Sequence, residues 1–251
     1  MTIDPIHQFN INNIFTIGHI GGRTIAFTNS SLYMLIVVAI ICLISVRGFA
    51  GRQLVPGRFQ SLAELSYVFV ATMIRSNAGA EGMMFFPLIY TIFMFVLVAN
   101  VISIIPYTFA ITSHIIITAA FALLVFFTVL IYGFYRNGLK FFTIFVPRGV
   151  PIYILPLVVI IEIISFLSRP LSHSVRLFAN ILAGHITLKV FAGFVAMLGT
   201  SLGAIGWIGG IVPLAMTVAL TALELLIAFL QAYVFAVLAV IYLNDAIHPK
   251  H

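Results

Sequence analysis

The chain has 251 residues, of which 63% are hydrophobic and only 7% charged, and its mean hydropathy is +1.22. A soluble domain carries about 25% charged residues, and no soluble fold of this size can bury so much apolar surface. These values exclude a soluble protein and indicate an all-α integral membrane protein. The net charge of +6 does not indicate nucleic-acid binding, because the basic residues stand singly or in small groups beside apolar runs, as topology determinants do.

Three apolar runs in the first part of the chain predict membrane spans at residues 31–46, 85–105 and 114–135. The first of these is short for a bilayer, which needs about 20 residues. Residues 59–77 carry apolar side chains three to five positions apart, which predicts an amphipathic helix at the membrane surface. No basic stretch followed by an apolar run opens the chain, so we expect no cleavable signal.

Basic residues alternate between the loops that join these spans. They are sparse before the first span and absent after the second, and they follow the first and third spans as Arg47, Arg52, Arg58 and Arg75, then Arg136, Lys140 and Arg148. The positive-inside rule places the N-terminus outside and both basic loops in the cytoplasm. We expect a multi-pass protein of a bacterial inner membrane with a cytoplasmic C-terminus, and a mitochondrial inner membrane is the alternative.

The last hundred residues contain two long apolar runs, 171–212 and 214–243, with glycines bunched between positions 199 and 210. As one helix the second run is about 45 Å long at about 1.5 Å per residue, so a hydrocarbon core of about 30 Å requires a tilt of about 48°. We predict a strongly tilted hairpin and about five membrane helices in all, the alternative being two or three upright spans with interfacial extensions. We expect one membrane domain, 1–251, divided into an N-terminal segment at 1–30, upright spans at 31–149 and a channel hairpin at 150–251.

Polar side chains interrupt both arms of this hairpin. An ionisable group at bilayer depth costs at least about 2.5–3.5 kcal/mol, so it persists where it is paired, hydrated or functional. At about 100° per residue, one face of the first arm carries Glu162, Arg169, His173, Arg176 and Asn180. The second arm carries a matching stripe of Thr217, Thr221, Glu224 and Gln231. Two such stripes predict a hydrated path for ions.

Three of these side chains differ in what they can do. Arg176 stays protonated in a protein, so it must face an anion, either Glu162 or a group on another subunit. Glu224 and His185 can exchange protons at working pH, although His185 points about 180° away from Arg176 on an ideal helix.

Some of the polar residues have a non-functional explanation as well. Lys189, Arg169 and His173 can each lie at the membrane interface, where a long or amphipathic side chain reaches the headgroups.

The motifs resemble those of one family. The segment Ser172-His-Ser-Val-Arg-Leu-Phe-Ala-Asn-Ile-Leu-Ala-Gly-His185 resembles the signature of the a subunit of F-type ATP synthases, an arginine followed by Leu-Phe-(Gly/Ala)-Asn and Ala-Gly-(Glu/His). Glu224-Leu-Leu-Ile-Ala-Phe-Leu-Gln231 is similar to the start of the family's last helix motif, and Asp4-Pro-Ile-His-Gln-Phe9 is similar to its opening Pro-(Leu/Ile)-x-Gln-Phe. The resemblance extends over nearly the whole chain.

This resemblance implies roles for particular residues. Arg176 matches the essential arginine, which faces the carboxylate of each passing c subunit and blocks a short circuit between two half-channels. Asn180 and Gln231 match channel-lining positions, and Glu162 matches an acid near the exit path. His185 and Glu224 match a pair that stands as Glu and then His in bacterial relatives, and this titratable pair favours H⁺ as the ion. The implied partners are the c-ring, peripheral-stalk b-type subunits and the lipid bilayer.

The sequence contains no Gly-x4-Gly-Lys-Ser/Thr motif, so we expect no nucleotide site, no cofactor, no metal site and no catalytic site in this chain. A secondary ion transporter is the alternative, since such proteins also carry charges at mid-membrane depth on broken helices. They usually show two similar halves, whereas the charges here concentrate in the C-terminal half.

Overall fold

The computed structural model describes residues 9–20, 23–50, 55–105, 108–146, 151 and 153–248. Its helices are α1 (Asn29–Ala50), α2 (Arg58–Ala78), α3 (Phe86–Ser103), α4 (Ile115–Asn137), α5 (Leu155–Gly209) and α6 (Ile211–Ile247). Its strands are β1 (Asn13–Ile20) and β2 (Arg23–Thr28), and 3₁₀ turns cover Glu81–Phe85, Ile111–Ser113 and Gly138–Phe145. The basic residues Arg52 and Arg148 and residues 4–8 of the opening motif lie outside the described residues.

Five helices in the described ranges are long and apolar enough to cross a membrane, namely α1, α3 with its preceding turn, α4, α5 and α6. Helix α2 is a separate, amphipathic helix, because it buries Val70 and Ile74 while it exposes Leu65 and Val68. This confirms the predicted class, an all-α membrane protein with five spans and one additional amphipathic helix.

Helix α1 is longer than the predicted span of residues 31–46. It begins at Asn29 because Thr28 caps it, with the backbone N–H of Ser31 donating to Thr28 Oγ1 over 3.3 Å. It continues past Val46 through Arg47 and ends at Ala50. The apolar part, Asn29–Gly48, has 20 residues, which is enough to cross a bilayer.

The N-terminal segment contains a two-stranded antiparallel hairpin that the sequence analysis did not predict. Strand β1 pairs with β2 from Asn13 opposite Thr28 to Ile20 opposite Arg23. Phe15 and Phe27 stack on the hairpin with their ring centroids 5.0 Å apart. Strand β2 ends at Thr28, and α1 begins at the next residue, Asn29.

The long C-terminal helices break inside the predicted glycine cluster. Helix α5 has 55 residues, and Gly203 within it has φ 57° and ψ −133°, a left-handed conformation that glycine adopts at little cost. Helix α5 continues through Pro170. Helix α6 has 37 residues, about 55 Å at about 1.5 Å per residue, so it is longer still than the predicted run. The tilt remains a prediction from this length.

The chain forms two compact units, and each is built from several parts of the sequence. Unit 1 comprises the described parts of Met1–Ile41, Phe95–His114 and Phe178–Gln231, and unit 2 those of Cys42–Met94, Ile115–Leu177 and Ala232–His251. The interior of unit 1 contains Val37, Val96, Ile111, Ile181 and Ala228. The interior of unit 2 is more aromatic and contains Phe93, Phe141, Phe166, Phe235 and Leu243.

Candidate functional site

Unit 1 contains a polar cleft, which we call the Glu224 cleft, between α3, α5 and α6. It is lined by Asn100, Ser103, Ile104, Asn180, Ile181, His185, Glu224, Ile227 and Ala228. The cleft leaves room for about one water molecule. The cleft therefore brings together the predicted residues Asn180, His185 and Glu224.

The carboxyl group of Glu224 is held without a protein partner. Both of its oxygens are buried, and neither has a hydrogen bond to any residue in the described part of the chain. A Cβ atom added at Gly184 would lie 2.5 Å from Oε1, so the carboxyl group occupies the space that this glycine leaves open. A buried polar group without a partner costs about 1–3 kcal/mol, and its retention calls for a functional explanation.

Asn100 is a buried residue of the cleft that the sequence analysis missed. Its side chain is fully buried; Nδ2 donates to the carbonyl of Ala228 on α6 over 3.5 Å, and Oδ1 accepts from Thr112 Oγ1 over 2.7 Å. Ser103 Oγ donates to the carbonyl of Asn100 over 2.7 Å. These contacts hold α3 against α6 beside Glu224. The sequence does carry a signal for it, because Asn100 is an amide within the apolar run 85–105, just as Asn180 interrupts an apolar run further along the chain.

His185 lines the Glu224 cleft although it lies outside the two predicted stripes. On an ideal helix His185 points away from Arg176, yet it lines the same cleft as Asn180. In unit 1, α5 turns Ile181, which is 7% exposed, and Gly184 toward α6, with Asn180 at one edge of the contact and His185 at the other. The packing of Gly184 against Glu224 therefore decides which α5 residues border the cleft.

Unit 2 contains a second polar cluster, which we call the Arg169 cluster. Arg169 Nη1 lies 3.0 Å from Asp245 Oδ2, and both side chains are largely buried. The guanidinium carbon lies 5.3 Å from the Phe166 ring centroid and 5.0 Å from that of Tyr242, which are cation–π distances. Glu162 is half-buried on α5, two turns before Arg169. The ion pair joins α5 to α6 within unit 2.

His173 belongs to the same cluster and is 3% exposed. Its ring centroid lies 4.0 Å from that of Phe235 and 5.9 Å from that of Tyr242. Its Nε2 has no hydrogen-bond partner among residues 9–248 that the structure describes. His173 is therefore packed inside unit 2, not at an exposed interfacial position.

Asp245 is the second site residue that the sequence analysis missed. It is an acid that follows a long apolar run near the end of α6. Since the two arms of a hairpin run antiparallel, an acid at this end of α6 could have been matched with Arg169, the first basic residue of α5. The partners are 76 residues apart in sequence, so only the fold makes the pair certain.

Arg176 lies on an exposed face of α5. Within the described ranges no carboxylate oxygen lies within 4 Å of its guanidinium, so Glu162 is not its ion-pair partner there. At about 100° per residue, one sector of about 100° contains Arg176 together with other exposed side chains, and these are Ser172, Ala179, Asn180, Ala183 and Thr187. These neighbours are mostly small, and a cation without a carboxylate partner among the described residues suits close approach of another helix that carries an anion.

The remaining predicted lining residues lie on α6. Thr217 and Thr221 are half-buried, and their hydroxyl groups donate to the carbonyls of Pro213 and Thr217 in the same helix, each over 2.8 Å. Gln231 is half-buried two turns after Glu224, on the same face of α6. None of the three lines the Glu224 cleft as the structure describes it.

The fold and the two polar clusters define a multi-pass integral membrane protein with ionisable side chains among its spans. The family profile described as "ATP synthase A chain" matches residues 31–244, and the chain belongs to this family. It is a component of the membrane sector of an ATP synthase and works in a complex with that enzyme's other subunits. Family membership confirms the resemblance drawn from the motifs and sets aside the secondary transporter.

Relatives similar to this chain cover its full length. It is 74% identical over 251 residues to "ATP synthase subunit a" of Bradyrhizobium diazoefficiens, with 100% of both chains covered. It is 69% identical over 249 residues to the proteins of that description from Rhodopseudomonas palustris and Nitrobacter winogradskyi, with 99% of this chain and 100% of each relative covered. Together with the five apolar helices, these bacterial relatives indicate a multi-pass inner-membrane protein.

Proposed function

We propose that this chain is the stationary part of a proton path that drives a rotating ring of c subunits. Protons enter through one aqueous half-channel, neutralise a carboxylate on the ring, travel around with it, and leave through a second half-channel. The observation that carries the proposal is the presence of two distinct polar clusters, the Glu224 cleft and the Arg169 cluster. In chain order along α5, one follows Arg176 and the other precedes it.

The Glu224 cleft is suited to the proton-loading half-channel. It combines a carboxyl group without a protein partner, an imidazole and the amides Asn180 and Asn100 around a space of about one water molecule. A carboxyl group and an imidazole can both take up and release protons, and water can join them. Gln231, on the same face of α6, continues the polar line.

The Arg169 cluster is suited to the other half-channel. Glu162 is the titratable acid of this region without a salt bridge among the described residues, whereas Asp245 is held by Arg169. With the N-terminus outside, as the charges of the loops indicate, α5 begins at the cytoplasmic side. Glu162 then lies toward the cytoplasm and His185 toward the outside, which gives the two paths opposite openings.

Arg176 separates these paths as a fixed positive charge. It remains protonated at any working pH, and it lies exposed on a face of α5 whose neighbours are small. A ring carboxylate that passes this face is attracted in its ionised form and cannot carry its proton straight across. The peripheral-stalk b-type subunits are expected to hold the chain stationary against the torque of the ring.

Passive proton conduction tests the proposal as a whole. Membranes whose complex has lost its soluble part should conduct protons down an imposed potential when this chain is present, and conduction should disappear when the chain is absent and the c-ring remains. Conduction that is unchanged without the chain would assign the proton path to other subunits.

Gly184→Ala should slow this conduction by about tenfold or more, since misplacement of a reacting group by about 1 Å can cost that much. The new methyl carbon would lie 2.5 Å from Glu224 Oε1 and 3.3 Å from its Cδ, so the carboxyl group has to move. Gly209→Ala is the matched control, because a Cβ there meets nothing within 4 Å. Equal rates for the two variants would show that the position of the Glu224 carboxyl group does not matter.

Asp245→Asn should destabilise the assembled complex by about 1–3 kcal/mol, because it leaves the largely buried Arg169 without its counter-ion. The double variant Arg169→Asp, Asp245→Arg should recover part of this loss, since it restores the ion pair without the contacts to Phe166 and Tyr242. Thermal unfolding of the purified complex measures the stability of both variants.

The control is Glu81→Gln, which breaks an exposed pair with Arg136 and should change the melting temperature little. If Asp245→Asn and Glu81→Gln lower the melting temperature by similar amounts, the Arg169–Asp245 pair has no special role in stability.

A further inference from the structure

The last residue of the opening motif contacts the Glu224 cleft. The ring centroid of Phe9 lies 6.3 Å from that of His185, and the two ring planes meet at 75°, an edge-to-face arrangement. His185 in turn lines the cleft together with Asn180 and Glu224. Phe9 and His185 belong to the same compact unit although 176 residues separate them in sequence.

Asn29, the first residue of α1, fixes the backbone that carries Phe9. Its side-chain Nδ2 donates to the carbonyl of Asn10 over 3.1 Å, and its Oδ1 accepts from the backbone N–H of Asn12 over 3.2 Å. Its own backbone N–H donates to the carbonyl of Asn12 over 3.1 Å. Three hydrogen bonds with Asn29 therefore fix the first and third residues after Phe9, Asn10 and Asn12.

The hairpin makes this attachment consistent with the rest of unit 1. Asn13, the first residue of β1, lies opposite Thr28, the last residue of β2. The hydrogen bonds of Asn29 therefore continue the pairing by one step beyond the strands. The segment Phe9–Asn12 is thereby held at the start of α1, and the half-buried Phe9 ring is presented to His185.

We propose that Phe9 is a positioning residue for His185, and that Asn29 holds Phe9 in place. An edge-to-face contact restricts rotation of the imidazole ring, so one ring nitrogen stays directed toward the next group of the proton path. Proton transfer depends on such alignment, because donor and acceptor have to lie within hydrogen-bond reach of each other or of one bridging water. The inference rests on the proposed function, in which His185 and Glu224 handle the proton.

Rates of passive proton conduction, normalised to the amount of assembled complex, test this positioning role. Phe9→Leu keeps an apolar side chain but removes the ring, and it should slow conduction about threefold to tenfold, the range that an aromatic pair of this kind contributes. Phe9→Tyr keeps the ring and should conduct at nearly the original rate. A purely hydrophobic role for Phe9 would instead make leucine as good as tyrosine.

A double-mutant cycle separates this inference from the proposed function. His185→Gln should slow conduction by itself, and Phe9→Leu should then cause no further loss. If His185→Gln conducts normally, both the role of His185 and the inference fail. If His185→Gln is slow but Phe9→Leu is harmless, or equally harmful in both backgrounds, only the inference fails.

Variants of the attachment complete the test. Asn29→Ala removes the two side-chain hydrogen bonds to Asn10 and Asn12 and should resemble Phe9→Leu in rate. Asn10→Ala is the matched control, since Asn10 contributes its backbone carbonyl and keeps it in alanine. An equal effect of the two substitutions would overturn the role given to Asn29.

Discussion

Replacing Arg176 with alanine is expected to abolish both ATP-driven proton pumping and ATP synthesis while the complex still assembles. The side chain is exposed on α5 and has no carboxylate within 4 Å among the described residues, so its removal breaks no ion pair that stabilises this part of the chain. Under the proposed function, what it removes is the fixed charge that a passing ring carboxylate meets. Arg176→Lys should fail largely as well, because a flexible ammonium does not reproduce the planar, delocalised cation.

Pumping by inverted membrane vesicles, measured by quenching of a pH-sensitive dye, decides the outcome for Arg176. Arg136→Ala is the matched control, because it also removes one positive charge but breaks only exposed contacts, the ion pair with Glu81 over 2.6 Å and the hydrogen bond to the Tyr132 hydroxyl over 3.1 Å. Coupled pumping at a normal rate in Arg176→Ala would refute the role of this residue. A loss of similar size in Arg136→Ala would show that the assay responds to charge removal in general.

Replacing Glu224 with glutamine is expected to lower passive proton conduction by about a hundredfold or more, the usual contribution of a positioned acid or base. Glutamine has the same shape, so it keeps the packing against Gly184 while it can no longer take up a proton. Glu224→Asp should retain part of the activity, since the carboxyl group remains but is withdrawn from the cleft by one methylene.

The matched control for Glu224 is Glu64→Gln, which changes an exposed acid on α2 that accepts a hydrogen bond from Gln60 over 2.8 Å. This substitution should leave conduction unchanged. If Glu224→Gln conducts protons as fast as the original chain, the proton does not pass through this carboxyl group, and the cleft serves only as packing.

The spans could be predicted from the sequence because lipid imposes a simple rule on composition. A segment that crosses the bilayer has to be apolar for about 20 residues, and this shows in the sequence without knowledge of any neighbour. The N-terminal hairpin could not be predicted in the same way. Its pairing is local, and its signal is a different one: the dipeptide Gly21-Gly22 between two short segments with β-branched and aromatic residues is typical of a hairpin.

The candidate site was predictable to the extent that its residues are rare where they stand. Arg176 and Glu224 stand out because an isolated charge in lipid is costly. Asn100, Asp245 and Phe9 contact partners that are 76 to 176 positions away in sequence. The sequence alone does not show these contacts. The place of His185 in the cleft could not be predicted, because an ideal helical wheel places residues around an axis but does not say where the neighbouring helix lies.

Side-specific labelling tests the central claim, two half-channels with opposite openings, most directly. The single cysteine of the chain, Cys42, is replaced by alanine, and the assembled complex then carries either Glu162→Cys or His185→Cys. A small membrane-impermeant thiol reagent is added to right-side-out or to inverted vesicles. We predict that the cysteine at position 162 reacts from the cytoplasmic side and the one at position 185 from the opposite side. Reaction of both cysteines from the same side would contradict the account.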